Sequence, residues 1–472
     1  LRDGDRIGII GFGAADSPSG CGLPPDGSGT GNCPNANITR LARINNVSVP
    51  GDITIAKAGV DAVTDRPVWT NIGHGLIDAK DMLLANPGNT NPDTIVLLSD
   101  GRENVNPLYD TPDVKGKLQD AGVCVDTIGL GPEAPGALLA QIAADNCGTY
   151  RPVPTSGLGT TIVSLSPGEV RTSLRVDEVL RTLSGYEDLQ AAGAVNRLTG
   201  ALAASASFLP GQLSLADTYD QFDAQAQDAS RLFHTASVGK ATSTWEEEAA
   251  QVDKTTSFFQ FVVAGKQPDS IYVRIVEVLP PGADPGKGWI PISPPQGVPA
   301  NWDVRNSDFE DTLLVTEPEP GEWRFRTMYL ETVSDFIMNL SVQSDIRLRG
   351  RLLNLNRGQA DAGDTVPIIG TLMTRDGLIR VAIMGARVEN EGGTDFVLLI
   401  DDGLHNDGVA GDGIFGWPYS LTEHGGSYSV RLVAYFLDPA DNTTPMAREW
   451  NGGFWVDGPQ EEGEDYQGDR DG

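Results

Sequence analysis

Apolar positions in residues 1–186 follow two alternating patterns. They run unbroken through Thr94–Leu98 and fill most of Val123–Leu130, which is typical of strands buried on both faces of a parallel sheet. In Asn71–Ala85 they recur at helical spacing, so this stretch predicts an amphipathic helix. Strands that alternate with helices favour an α/β unit, a doubly wound parallel sheet with helices on both faces. The same reasoning predicts a strand at Arg6–Gly13 and helices at Asp113–Ala121, Gly136–Ala144 and Arg175–Leu183.

The pattern changes after about residue 190. Residues 187–230 are rich in Ala, Gly, Ser and Asp and weakly patterned, which indicates a linker or an irregular edge. Short alternating runs separated by turn residues fill 231–343 and 344–456. They predict an antiparallel β domain followed by a β-sandwich of the fibronectin III or immunoglobulin type. Residues 457–472 hold seven acids and one arginine, and they predict a solvated acidic tail.

The composition and charge of the chain argue against several classes of binding partner. The chain has 472 residues, with 34 Lys and Arg against 65 Asp and Glu, so its formal net charge is −31. Nucleic acids and anionic membranes attract basic surfaces, and this acidity therefore argues against both as partners. No apolar run reaches the roughly 18–20 residues that cross a bilayer, so we expect no membrane span. Leu1–Asp5 is typical of a helix end entering a strand, and we expect the sequence to begin inside a domain.

Four cysteines give a hint of the cellular compartment. Sequence order favours two local disulfides, Cys21–Cys33 across a Gly/Pro/Ser-rich loop and Cys124–Cys147 around a strand and a helix. Zinc ligation would require tighter CxxC pairs, which are absent. The alternative is four unlinked buried thiols. Two disulfides would indicate an exported protein, extracellular or at the cell surface.

Two polar stretches of the α/β unit place oxygen donors where strands end or helices begin. Trp69–Leu76 contains Thr70, and Leu97–Gly101 contains Asp100. Open α/β sheets bind ligands at the carboxyl ends of their strands, and hydroxyl and carboxylate oxygens suit Mg²⁺ or Ca²⁺. The alternative is that Thr70 caps a helix and Asp100 starts a turn.

The runs DRIGIIGFG, TNIGHGL and TIVLLSDG resemble von Willebrand factor type A domains in order and wording. The resemblance implies a metal-ion-dependent adhesion site, in which a DxSxS motif, a Thr and an Asp hold a divalent cation for a partner's carboxylate. Thr70 and Asp100 match the second and third elements, and no DxSxS motif stands before them. Either residues upstream of Leu1 complete the site, or the site is inactive.

An acidic, glycine-rich loop follows the predicted strand Val397–Ile400. Carboxylates, backbone carbonyls and permissive glycines make a Ca²⁺ cage plausible here, although the spacing is not that of an EF-hand. The alternative is a loop of Asx turns joining two strands. The candidate calcium ligands are Asp401, Asp402, Asn406, Asp407 and Asp412.

The same region resembles a second family. FVLLIDDGLHNDGVAGDGIFGWPYSLTEHGGSYSVRLVA is similar to the β-sandwich region of the calcium-activated chloride channel regulator family. DKTTSFFQFVV and PGEWRF look like the β-rich domain that follows the type A domain there, in the same order. Similar bacterial surface proteins share this layout. Members of that family carry an HExxH metalloprotease domain, and that motif is absent from this sequence.

No GxSxG, phosphate-binding loop or dinucleotide fingerprint occurs either, so we expect a non-enzymatic protein. The sequence favours an exported adhesion or interaction protein that binds a protein or a surface ligand. If a divalent cation occupies the Thr70 and Asp100 site, we expect it to bind a carboxylate of that partner. One alternative is a self-assembling structural subunit of a surface layer or filament. Another is the non-catalytic part of a self-cleaved metalloprotease.

Overall fold

The structure is a computed structural model that divides the chain into two compact units. Unit 1 comprises Leu1–Pro152 with Arg357–Gln359, and unit 2 comprises Val153–Asn356 with Ala360–Gly472. The described residues are 8–12, 39–43, 70–85, 94–103, 105–131, 134–153, 174, 193–204, 211–226, 229–240, 245–265, 273–292, 297–306, 310–329, 334–390 and 392–458.

The described residues before 154 contain both strands and helices. A π-helical turn, Pro112–Gly116, leads directly into the second helix. The helices are α1 (Ile72–Leu84), α2 (Lys117–Ala121) and α3 (Gly136–Asp145). The strands are β1 (Gly8–Gly11), β2 (Thr39–Arg43), β3 (Thr94–Ser99), β4 (Cys124–Leu130) and β5 (Tyr150–Val153).

A three-stranded sheet in the order β3-β4-β5 forms the centre of this region. β3 and β4 are parallel, with Thr94 opposite Cys124 and Ser99 opposite Gly129. Both runs are strands of this sheet, as predicted. β4 is buried along most of its length, whereas burial alternates along β3 and Val96 is exposed, so the expected burial on both faces is wrong for β3. Helix α1 confirms the predicted helix, and it buries Ile72, Leu76 and Met82.

Among the described residues, the expected doubly wound parallel sheet is represented only by the three strands β3, β4 and β5. β1 and β2 pair antiparallel in a separate two-stranded sheet. The predicted helix Arg175–Leu183 lies outside the described residues. Most of the regular structure in the described residues is β and antiparallel, because the strands described in unit 2 far outnumber those described in unit 1.

The described part of unit 2 contains two helices and a long succession of strands. The helices are α4 (Ala194–Ala204) and α5 (Gly211–Ala226). The strands as far as residue 343 are β6 (Ser230–Lys240), β7 (Trp245–Val252), β8 (Phe258–Gly265), β9 (Val273–Leu279), β10 (Ile290–Pro291), β11 (Trp302–Asn306), β12 (Glu310–Thr316), β13 (Gly321–Tyr329) and β14 (Ser334–Gln343). Those that follow are β15 (Arg347–Leu352), β16 (Gln359–Asp361), β17 (Val366–Thr374), β18 (Gly377–Leu378), β19 (Ala382–Asn390), β20 (Gly393–Leu399), β21 (Ile414–Tyr419), β22 (Gly426–Leu437) and β23 (Pro445–Asp457).

Three sheets organise these strands. The largest has ten strands, and its main path runs β11-β12-β8-β14-β6-β23-β22-β19-β20. A four-stranded sheet has the order β10-β9-β13-β7. A second four-stranded sheet places β17 between β15 on one side and β18 and β21 on the other.

Two hydrophobic cores lie between these sheets. One is built from residues 232–342 and centres on Phe259, Phe261, Trp323 and Phe325. The other is built from residues 346–456 and includes Tyr419, Tyr428 and Phe436. The large sheet contributes to both cores, because its strands come from both parts of the sequence.

The expectation of a linker or irregular edge at 187–230 is wrong for much of that segment. α4 and α5 occupy it, and Leu198 and Leu202 of α4 are fully buried against Ile383, Leu398 and Val433. The alanines and glycines around them hid the helical spacing of these few large apolar residues. Within the residues that the structure describes, no helix is long and apolar enough to cross a membrane.

Candidate functional site

The structure brings Thr70 and the loop Ser99–Gly101 together at the end of β3. Thr70 forms an isolated parallel bridge with Glu103, just past this loop. A Cβ atom built on Gly101 would lie 2.7 Å from the Thr70 hydroxyl oxygen, so glycine permits this close approach. Asp100 is exposed, and Thr70 is half-buried. The two residues that sequence reasoning selected therefore belong to one surface.

Asn71, and not Thr70, caps helix α1. The Asn71 side-chain oxygen accepts a hydrogen bond from the His74 backbone N–H at 3.2 Å. The alternative that Thr70 serves as the helix cap is therefore wrong. The turn at Asp100 is held instead by Ser99, whose hydroxyl donates to the Gly101 carbonyl at 3.0 Å. Neither local role uses Thr70 or Asp100.

Glu103 holds the backbone next to this surface through two hydrogen bonds. The sequence analysis did not identify this residue. One carboxylate oxygen accepts the Gly73 backbone N–H at 2.7 Å, and the other accepts that of Tyr109 at 2.9 Å. Burial raises the pKa of Glu103 to about 7 with a further contribution from Asp110, although both backbone bonds favour the charged form. Glu103 thus joins the start of α1 to the loop before Tyr109. Its position just after the SDG run was the only signal in the sequence.

The surface supplies few ligands for a cation. Thr70 and Asp100 offer a hydroxyl and a carboxylate, the oxygen types that Mg²⁺ and Ca²⁺ prefer. Among the described residues, no group of three or more His, Cys, Asp or Glu side chains could hold a metal ion. The two donors are chemically suitable, but a six-coordinate ion would take its other ligands from water, a partner or residues outside those described.

In the acidic loop 401–413, side-chain carboxylates accept hydrogen bonds from backbone N–H groups of the same loop. Asp401 accepts the N–H groups of Gly411 and Gly413, each at 2.7 Å. Asp407 accepts those of Asp402 and Gly403 at 2.6 and 2.7 Å. These bonds leave Asp401 and Asp407 buried although both are charged residues. These carboxylates join the first residues of the loop to residues further along it.

The remaining candidate calcium ligands lie in the same loop. Asp412 accepts the N–H groups of Val409 and Ile414 at 3.1 and 2.9 Å. Asp402 accepts that of Leu404 at 2.9 Å. Asn406 has a φ of 63°, the left-handed conformation that asparagine tolerates. A calcium ion would compete with the backbone for these oxygens, and calcium binding here stays a prediction.

One of the two expected disulfides lies among the described residues. Cys124, at the start of β4, is bonded to Cys147, 23 residues later and just after α3. The bond encloses β4 and α3, as the sequence predicted. Cys21 and Cys33 lie outside the described residues, so that pairing stays a prediction.

No protein-family model and no curated protein matches the sequence. The solved structures that resemble it include three at 11% identity. A DUF4785 family protein from Legionella pneumophila has a TM-score of 0.31, and the alignment covers 48% of this chain and 64% of that one. A Bacillus licheniformis lipase in propeptide form has a TM-score of 0.26 with 78% and 97% covered. A von Willebrand factor type A protein from Catenulispora acidiphila has a TM-score of 0.24 with 80% and 56% covered.

These likenesses assign the chain neither a family nor a function, because identity and TM-score are both low. One structural neighbour is a type A protein, and another is an enzyme. The resemblance to the calcium-activated chloride channel regulator family and the expected lack of enzymatic activity both stay predictions.

Proposed function

We propose that this chain is an exported, non-enzymatic interaction protein of the adhesion type. Its binding surface is the one formed by Thr70 and the Ser99–Gly101 loop. The observation that carries the proposal is the close approach of this loop to Thr70, which the glycine at position 101 permits. Two oxygen donors 30 residues apart in sequence share one surface at the end of a parallel strand, the edge at which open α/β sheets bind ligands.

The support beneath this surface favours binding over a purely structural role. Glu103 fixes the start of α1 through Gly73 and the following loop through Tyr109. The backbone around Thr70 is therefore held before any ligand arrives, which reduces the entropy lost on binding. Asp100 remains exposed on the supported surface, where a partner can reach it.

A divalent cation is the second part of the proposal. Thr70 and Asp100 would each supply one oxygen ligand to Mg²⁺ or Ca²⁺, and the ion would attract a carboxylate of the partner. Export rests on the Cys124–Cys147 disulfide, because such bonds persist in oxidising compartments.

Thermal unfolding tests the proposal with the metal alone as the probe. We expect MgCl2 or CaCl2 to raise the unfolding temperature of the wild-type chain relative to EDTA, and T70A/D100A to abolish that shift. Asp113→Ala is the control, because Asp113 is an exposed acid of the same unit whose carboxylate faces Lys117 at 3.8 Å. An equal shift in T70A/D100A would place any bound metal elsewhere and contradict the proposed site.

A further inference from the structure

Strand β15 presents a row of arginines to the outside of its sheet. Alternate residues of a strand face opposite sides. Leu348 is buried, and a Cβ atom built on Gly350 would lie 2.3 Å from the Trp450 ring, so both residues face the core. The residues between and beside them face outward. They form the arginine row, defined as Arg347, Arg349 and Arg351.

β15 is also an edge strand. It pairs antiparallel with β17 along its whole length, from Arg347 opposite Met373 to Leu352 opposite Ile368. In the described part of the chain no strand pairs with its other side. An edge of this kind presents backbone N–H and C=O groups that can accept an additional strand.

The charge of the arginine row is uncompensated at two positions. Arg375, another exposed arginine of unit 2, faces the Asp345 carboxylate at 2.8 Å. Arg349 and Arg351 are exposed, and no carboxylate of the described residues lies within ion-pair distance of either. In a chain of net charge −31, this is a local excess of positive charge that an acidic ligand would recognise.

We propose that the arginine row binds the acidic segment 459–472 of this chain as an additional strand beside β15. The segment, PQEEGEDYQGDRDG, holds six acids and one arginine. Glu462 and Glu464 are two residues apart, as Arg349 and Arg351 are, so both pairs are about 7 Å apart in extended chains. Opposite charges that face each other across neighbouring strands stabilise the pairing.

The reach of the segment is set by the residues between the end of β23 and the two glutamates. β23 ends at Asp457, and earlier in the same strand Arg448 donates to the Ile346 carbonyl, next to the start of β15, at 3.0 Å. Glu462 and Glu464 follow Asp457 by five and seven residues, which span about 17 and 24 Å when extended. Both the segment of the same molecule and that of a second copy can supply the strand.

The test measures binding of a labelled peptide of residues 457–472 to the full chain. That chain carries E462K/E464K, so that its own acidic segment does not compete with the peptide. Fluorescence anisotropy at low ionic strength should show saturable binding that weakens as NaCl is added. Adding R349E/R351E should weaken binding roughly tenfold or more. The matched control K254E/K287E changes the net charge equally at exposed lysines and should leave binding unchanged.

Charge exchange completes the test. The peptide carrying E462K/E464K should bind the R349E/R351E chain, which the unaltered peptide does not. Weaker peptide binding by the wild-type chain than by the E462K/E464K chain means that the row holds its own segment, and equal binding assigns the strand to a second copy. The proposal is overturned by absence of saturable binding, by equal loss in K254E/K287E, or by failure of the exchanged charges to restore binding. In each of these cases the arginines only protect an edge strand from pairing.

Discussion

Arg448 of β23 donates a 2.6 Å hydrogen bond to the carboxylate of Asp253, the residue that follows β7, and both side chains are buried. Arg448 also donates to the Ile346 carbonyl and the Ser344 hydroxyl, each at 3.0 Å. The pair spans 195 residues of sequence. It joins the part of unit 2 that builds the first core to the part that builds the second.

Removal of Asp253 should strongly destabilise unit 2. Asp253→Ala leaves the Arg448 guanidinium buried without its counter-charge, which typically costs about 3–5 kcal/mol. Urea unfolding monitored by tryptophan fluorescence measures the change. Asp303→Ala is the control, because the Asp303–Arg305 pair is exposed, and its loss should cost less than about 1 kcal/mol. Similar losses in both variants would contradict this role of the pair.

Asp311 should make the stability of unit 2 depend on pH. Burial raises its pKa to about 6, although Arg274 and the Ile275 N–H favour the charged form. The folded protein therefore holds this proton at a pH where the unfolded chain, with a pKa of about 4, has released it. The associated stabilisation is complete below about pH 4 and is lost as pH rises through about 6.

The corresponding measurement compares wild type with Asp311→Asn, which cannot titrate. Between pH 4 and pH 7, the unfolding free energy of the wild type should fall relative to that of the variant by on the order of 2 kcal/mol. Urea titrations at several pH values give both curves. Parallel curves would show that Asp311 does not titrate in this range.

Reduction of the Cys124–Cys147 disulfide should destabilise unit 1. The bond closes a loop across 23 positions, and the chain-entropy model assigns such a loop about 3 kcal/mol. C124S/C147S should lower the temperature at which unit 1 unfolds and make that temperature insensitive to dithiothreitol. An unchanged transition in the double variant would show that the bond contributes little.

The stability of loop 401–413 should depend on Asp407 whether or not calcium binds. Asp407→Ala removes the acceptor of the Asp402, Gly403 and His405 N–H groups and should cost about 1–3 kcal/mol of unit 2 stability. Thermal unfolding with CaCl2 or EGTA separates the two interpretations of the loop. A calcium-induced rise that Asp412→Ala abolishes supports calcium binding, and no rise in the wild type rejects it.

Local patterns predict the elements near the candidate site, because the residues that stabilise these elements fall within short windows of sequence. The apolar run of β3 and the helical spacing of α1 each lie within 15 residues. The SDG run likewise places Asp100 at the end of a strand. The resemblance to type A domains adds the link between Thr70 and Asp100, which no short window contains.

Contacts between distant parts of the chain could not be predicted in this way. Glu103 acts through the backbone of Gly73, 30 residues away, and Arg448 through a carboxylate 195 residues away. Neither contact leaves a periodic signal. The helices α4 and α5 were missed because few large apolar residues mark their buried faces, and tertiary packing decided their structure.

The most direct test of the proposed binding surface is titration of the purified chain with Mg²⁺, Ca²⁺ and Mn²⁺ by isothermal calorimetry. Mn²⁺ binding can be followed independently by electron paramagnetic resonance. The proposal predicts saturable binding of one ion by the wild type, lost in T70A/D100A and retained in Asp113→Ala and in D407A/D412A, which reports on the acidic loop. Absence of saturable binding, or binding unchanged in T70A/D100A, would contradict it.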